Sequence, residues 1–245
     1  MNDPRPGEDE AQHARRALVR QAVCVAGAFA AGAWPLHAAT GDVRRYGRTR
    51  LVDEFQRPIS ARQLRVGEPW LFNYPYAASP VFLLALESAP AGAELTTEAR
   101  QRYAAPAGVG PRRSVVAFSA ICAHKLMYPT PQISFIGVRR GFDGEPAHVI
   151  HCCGDQSRYD PAQGARVIGG PAPQPLAAVL LDWDSRRDEL HATGVQGGEM
   201  FQAFFEKYAF RLEMELGRKA RDLAGPTAVA RPASAYSRQW QSCRA

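Results

Sequence analysis

The apolar positions of this chain fall into short clusters rather than long stripes. Arg50–Val52, Trp70–Tyr76 and Val81–Leu86 are separated by turn-forming residues at Arg57-Pro58, Val66-Gly67-Glu68 and Ser79-Pro80. Similar runs follow at Ser114–Ala120, Ile133–Val138, His148–His151, Ala165–Ile168 and Ala177–Asp182. Short runs bounded by Gly, Pro and polar residues predict strands. Many of them in succession predict a mainly β protein, an antiparallel sandwich or small barrels, over residues 43–196. Between the two groups, Ser88–Gly110 is rich in Ala, Pro and Gly and reads as a loop with a short helical turn at Thr96–Tyr103.

The period changes after Gly197-Gly198. Met200, Phe201, Phe204, Phe205, Tyr208, Leu212 and Leu216 recur at near-helical spacing, which predicts a C-terminal helix within 197–224. The stripe is read as packing rather than as a partner groove. Gly217 and Gly225-Pro226 interrupt or end it. Residues 225–245, with Pro, Ser and Ala, predict a flexible tail. No internal repeat is visible.

Residues 1–42 have a different character. A polar lead containing Arg15-Arg16 precedes a weakly hydrophobic run without charge from Ala22 to Gly41. Twin arginines in that setting resemble a twin-arginine export signal, and predict a periplasmic destination. Two fates fit the segment: cleavage near Leu36-His37-Ala38-Ala39, or retention as a membrane attachment through residues 17–41. About twenty uncharged residues suffice to cross a bilayer, although Gly27, Gly32, Pro35 and His37 weaken the span.

Composition narrows the picture only a little. Of 245 residues, 46% are hydrophobic and 22% charged, which is globular composition. The formal net charge of +6 suits an acidic redox partner, an anionic membrane or nucleic acid. No zinc finger, helix-turn-helix or interleaving of aromatics with Lys/Arg supports nucleic acid, so that class is set aside.

The cysteines change the picture more. Cys24, Cys122, Cys152, Cys153 and Cys243 form an odd set with one adjacent pair, a poor disulfide framework. Cys24 and Cys243 lie in the export segment and the tail, and neither suggests a role. The middle three point toward metal. Cys122-Ala123-His124 places a thiolate and an imidazole on one tight loop. A further thiolate arrives in Cys152-Cys153-Gly154-Asp155-Gln156-Ser157-Arg158-Tyr159-Asp160. Mixed thiolate and imidazole donors suit iron–sulfur or zinc chemistry.

These two segments resemble the loops of the Rieske [2Fe–2S] family. There, Cys-x-His is followed by Cys-x-x-His-x-Ser-x-Tyr-Asp and then a Gly-Pro-Ala-Pro stretch. Here Cys152, Ser157, Tyr159 and Asp160 keep that spacing, and Gly170-Pro171-Ala172-Pro173 follows. The resemblance is confined to residues 115–176. It implies a [2Fe–2S] cluster with Cys122 and Cys152 on one iron and His124 on the other. It implies that Ser157 and Tyr159 hydrogen-bond to sulfur and raise the potential. It also implies that Gly170, Pro171 and Pro173 form a rigid loop over the cluster.

Three departures qualify this. Asp155 stands where the family has its second histidine, and His148 and His151 precede Cys152 on a predicted strand. The extra cysteine pair of many respiratory members falls at Met127 and Gly154. The gap between the loops is longer, which predicts an extended hairpin around Arg139–Pro146. Three outcomes follow for the fourth ligand: Asp155, Cys153, or a cluster-free scaffold. A carboxylate ligand adds negative charge and lowers the potential relative to imidazole.

Together with the twin-arginine segment, the resemblance implies an exported protein passing single electrons to a redox partner such as a cytochrome or membrane complex, with no bond chemistry of its own. A cluster-free structural or binding subunit of a redox complex is the alternative. An oxygenase component is disfavoured, since no paired-histidine-plus-carboxylate iron site is evident.

Overall fold

The computed structural model describes residues 43–243; residues 1–42, read above as an export signal or anchor, lie outside the described residues. In chain order the first strands are β1 (Arg44–Val52), β2 (Trp70–Asn73), β3 (Pro80–Ala85), β4 (Glu94–Thr96), β5 (Arg102–Ala104) and β6 (Val115–Ser119). Next come β7 (Ile133–Ser134), β8 (Ile136–Arg140), β9 (His148–Cys152), β10 (Ser157–Asp160), β11 (Arg166–Gly169), β12 (Ala178–Asp184) and β13 (Glu189–Gln196). Helices α1 (Phe201–Lys207) and α2 (Ala209–Leu216) follow. The chain closes with β14 (Thr227–Val229), β15 (Arg231–Pro232), a single helical turn α3 (Ala233–Tyr236) and β16 (Gln239–Trp240).

β3 and β6 are buried along their whole length. Side chains alternate across a strand, so each of these two strands feeds two cores. Val81, Leu83, Val115 and Ala117 pack with Phe201, Phe204, Phe205 and Leu212 of the helices. Phe82, Leu84, Val116 and Phe118 pack instead with Ile136, Ile150, Cys152 and Tyr159 of a smaller sheet. The large sheet runs β14-β1-β13-β12-β6-β3-β2-β15, and the small one β11-β10-β9-β8. The small sheet therefore sits on one face of the large one and the helices on the other.

The sequence reading and the structure differ at four places. The expected helical turn at 96–103 is a hairpin, β4 paired with β5. Leu95 and Tyr103 are buried opposite each other while their neighbours are exposed, a period of two that favours strand. β13 carries no uninterrupted apolar run, because His191, Thr193 and Gly194 break it; its place between β1 and β12 supplies the pairing. The helix expected within 197–224 is two helices broken at Tyr208, followed by a 3-10 turn at Gly217–Arg221.

The fourth difference is the tail, expected to be flexible. β14 pairs with β1 and β15 with β2, so the two ends of the eight-stranded sheet are consecutive in the chain. Ala230 joins them, fully buried, and its N–H donates to the Val52 carbonyl at 2.7 Å. Open strand edges carry unpaired backbone groups, and the tail satisfies them with main chain, for which small residues are enough. Beyond α3, β16 pairs with β7 beside the small sheet, and Cys243 is disulfide-bonded to Cys153. Among the described residues, no helix is long and apolar enough to cross a membrane.

Phe204 is fully buried between the large sheet and the aromatic rings of Tyr128 and Tyr208. Phe204→Ala is expected to cost about 3–5 kcal/mol, the range for emptying a buried aromatic site. Urea unfolding read by fluorescence checks this. Cys243→Ser is expected to cost about 2–4 kcal/mol by releasing a 90-residue closure. Non-reducing peptide mapping of the wild type should yield a linked Cys153–Cys243 fragment that this variant lacks.

Candidate metal centre

Two loops at one end of the small sheet bring the chemistry together. The first follows β6: the Cys122 N–H donates to the Met127 carbonyl at 2.9 Å, and the Leu126 N–H to the Cys122 carbonyl at 3.0 Å. These bonds curl Cys122–Met127 into a tight turn that displays His124 at its rim. The second loop joins β9 to β10. Its Gln156 N–H donates to the Cys152 carbonyl at 2.7 Å, and Gln156 adopts a left-handed φ of 63°. That conformation is unfavourable for a residue with a side chain. It is held by Gln156 contacts to the His151 Nε2 and the Cys153 carbonyl.

Gly170 closes the second loop from outside. With φ +81°, it lies so near that a Cβ would fall 2.3 Å from the Gln156 carbonyl oxygen. Pro171 and Pro173 beside it are exposed. Met127 and Gly154 face each other across the two loops, a Cβ on Gly154 coming within 3.1 Å of the methionine methyl. Side-chain packing stands at the pair of positions where the resemblance would put a second cysteine bridge.

Cys122, Cys152 and Asp155 bring their donor atoms within 4.8 Å of one another. Asp155 Oδ2 lies 3.2 Å from Cys122 Sγ and 3.1 Å from His124 Nδ1. Its Oδ1 accepts from the Ser157 N–H at 2.9 Å. His124 thus joins the set through Asp155. The two thiols are fully buried, and the Asp155 side chain is 2% exposed against 36% for His124. The donor set runs from a buried sulfur end to an imidazole at the surface.

Electrostatics favour an anionic site. Burial would raise the Asp155 carboxyl, but the Ser157 N–H and the Cys122 and Cys152 thiols hold it below the usual range. The Cys152 thiol, donating toward Cys122, pulls Cys122 down and is itself pushed up. Burial pushes the Tyr159 phenol well up, so it stays a donor. That oxygen lies 3.5 Å from Cys122 Sγ and accepts from the Ala123 N–H at 3.2 Å, tying the first loop to β10.

The donors suit a two-iron cluster. Two thiolates at one end and an imidazole at the other, with a carboxylate between, match ligand types that iron–sulfur centres accept. The Ser157 hydroxyl agrees with this: it is buried near the Asp155 carboxylate and makes no hydrogen bond of ordinary geometry among the described residues. A buried hydroxyl without an acceptor is costly, and a sulfur of a bound cluster would satisfy it.

Cys153, the alternative fourth ligand, is corrected by the structure. Alternation along β9 turns Cys152 into the core and Cys153 outward, where it is bonded to Cys243. His151 also faces away from Cys152; burial lowers its pKa and its ring packs edge-on against Phe142. The role of Cys243 had one legible signal: once Cys122 and Cys152 are assigned to metal and Cys24 to the export segment, Cys153 and Cys243 remain.

The loop pattern keeps the spacing that resembles Rieske-type proteins, and the fold is mainly β, as that resemblance implies. No family model matches the sequence. Over 135 residues it is 31% identical to the iodate reductase subunit IdrB of Denitromonas iodatirespirans, covering 55% of this chain and 59% of that protein. The chain therefore spans less than two thirds of that relative. Among solved structures, the soluble domain of the Rieske protein II (soxF) from Sulfolobus acidocaldarius is 25% identical. The overlap covers 63% of this chain and 82% of that one, with a TM-score of 0.45.

Gly170→Ala is expected to destabilise by at least about 1–3 kcal/mol, from its left-handed φ and the contact with Gln156. The unfolding temperature read by circular dichroism should fall accordingly, the displaced segment being the one that carries Asp155.

Proposed function

We propose that this chain is the electron-transfer subunit of an exported oxidoreductase, holding a [2Fe–2S] cluster on Cys122, Cys152, His124 and Asp155. The observation that carries this reading is the four-donor set itself, with buried thiols, a buried ionised carboxylate and one exposed imidazole. When bound, such a cluster accepts and releases one electron. The protein's part is to bury the sulfur end, exclude water from it, and present the His124 edge to a partner. Ser157 and Tyr159 supply hydroxyl donors toward sulfur, which favour the more negative reduced state. Asp155 works against them, since a carboxylate in place of imidazole adds one negative charge and lowers the potential.

The match to an iodate reductase subunit supports a place in a larger reductase complex, with the substrate site on another chain. The twin arginines of residues 1–42 support export of an already loaded protein to the periplasm, either free or attached through residues 17–41.

Anaerobic purification from a cluster-competent host should give iron and acid-labile sulfide in equal amounts, and an EPR signal on reduction. Iron-free, EPR-silent protein overturns the proposal in favour of a cluster-free subunit. Asp155→Ala should abolish or severely weaken cluster retention, and Asp155→His should keep the cluster and raise its potential. Tyr159→Phe and Ser157→Ala should each keep the cluster and lower its potential. Fusion of residues 1–42 to a reporter should direct export that Arg15-Arg16→Lys-Lys abolishes.

A further inference from the structure

The outer face of the small sheet carries a cation that the cluster reading does not use. Gly137 and Arg139 share the face of β8 opposite its core residues Ile136 and Val138. Arg139 does not reach out to solvent. Its guanidinium folds back over Gly137, one nitrogen lying 3.9 Å from where a Cβ would stand. Gly137 pairs with His151, and the adjoining rung pairs Ile136 with the ligand Cys152.

The C-terminal segment holds the guanidinium there. Arg139 donates to the Gln241 carbonyl, and the Gln241 N–H donates in turn to the Ser134 carbonyl at 2.8 Å. Trp240 lies over Gly137, its ring 2.7 Å from the same Cβ position, and its indole N–H donates to the Ala233 carbonyl at 3.1 Å. The Cys153–Cys243 bond closes the segment onto the residue that follows Cys152.

Charge accounting singles out Arg139. The neighbouring Arg158 is neutralised by Glu145 at 2.7 Å. Arg139 makes no ion pair with a carboxylate among the described residues, and its Nε is buried without a hydrogen-bond partner. A part-buried cation without a counter-charge is unfavourable. The donors Cys122, Cys152 and Asp155, all anionic once they hold a cluster, are the charge concentration behind the sheet it leans on. Burial lowers the Arg139 pKa, and the Cys152 sulfur is near enough to oppose that electrostatically.

We infer that Arg139, held in place by the stapled C-terminal segment, offsets the charge of the anionic ligand set and raises the potential of the centre. The inference rests on the cluster reading above and makes Arg139 a positioning charge rather than a ligand. A fixed positive charge favours the state with one more electron, by an amount that falls with distance and screening.

The test is a redox titration of the full-length loaded protein, followed by EPR, with iron content measured alongside. R139Q should keep its iron and titrate at a lower potential than wild type, whereas R139K should stay near wild type. C243S, which frees the holding segment, should shift in the same direction as R139Q by a smaller amount. Loaded R139Q with the wild-type potential overturns the assignment of Arg139 while leaving the cluster intact. Should R139Q fail to load, C243S decides: an unshifted potential there overturns the inference. A wild type without iron overturns the cluster reading itself, and this inference with it.

Discussion

Burying a carboxylate among thiols is unfavourable unless every lone pair is answered, and that requirement organises one end of this molecule. Asp155 is answered by the Ser157 N–H on one oxygen and by Cys122 and His124 on the other. To supply those partners, the loop after β6 and the loop after β9 have to meet. They are held in that meeting by the Tyr159 hydroxyl and the Met127–Gly154 packing, while Gly170 backs the second loop from outside. A site with two thiols, a carboxylate and an imidazole results, deeper at its sulfur end than at its imidazole end.

The scaffold behind the loops owes its form to two strands with two buried faces. β3 and β6 supply the helix-side core with one set of alternating side chains and the small-sheet core with the other. The C-terminal segment then joins the ends of the large sheet and continues onto the small one. One stretch of chain thereby closes the sheet, covers Gly137 and ends in a disulfide to the loop that carries Cys152 and Asp155. Stability of the fold and rigidity of the site are coupled through it, which is why changes at Cys243 are expected to register in both.

Much of this was legible along the chain where a local rule sufficed. The strands around Val81–Leu86 and Ser114–Ala120 announce themselves as continuous apolar runs, and the aromatic stripe from Phe201 to Leu212 announces helix. The two loops were recognisable from their resemblance to the Rieske pattern, and so was Asp155 as the departure from it. Where the local signal was mixed, as in β13, or opposed, as at 96–103, the chain's neighbours in space chose the conformation. The tail shows the same limit most clearly: Thr227–Pro232 has no apolar pattern, and only an open edge on either side makes it strand.

By itself the sequence determined the residue types of the site, their order, and the β class of the fold, because donor chemistry and strand period are local properties. Tertiary structure alone decided that Cys153 bonds Cys243 and so leaves Asp155 beside the thiols. It alone folded the Arg139 guanidinium over Gly137, on the rung next to Cys152, and buried the Ser157 hydroxyl without a hydrogen-bond partner among the described residues. Each of these depends on which segments share a face or an edge, and that is settled by packing between distant parts of the chain.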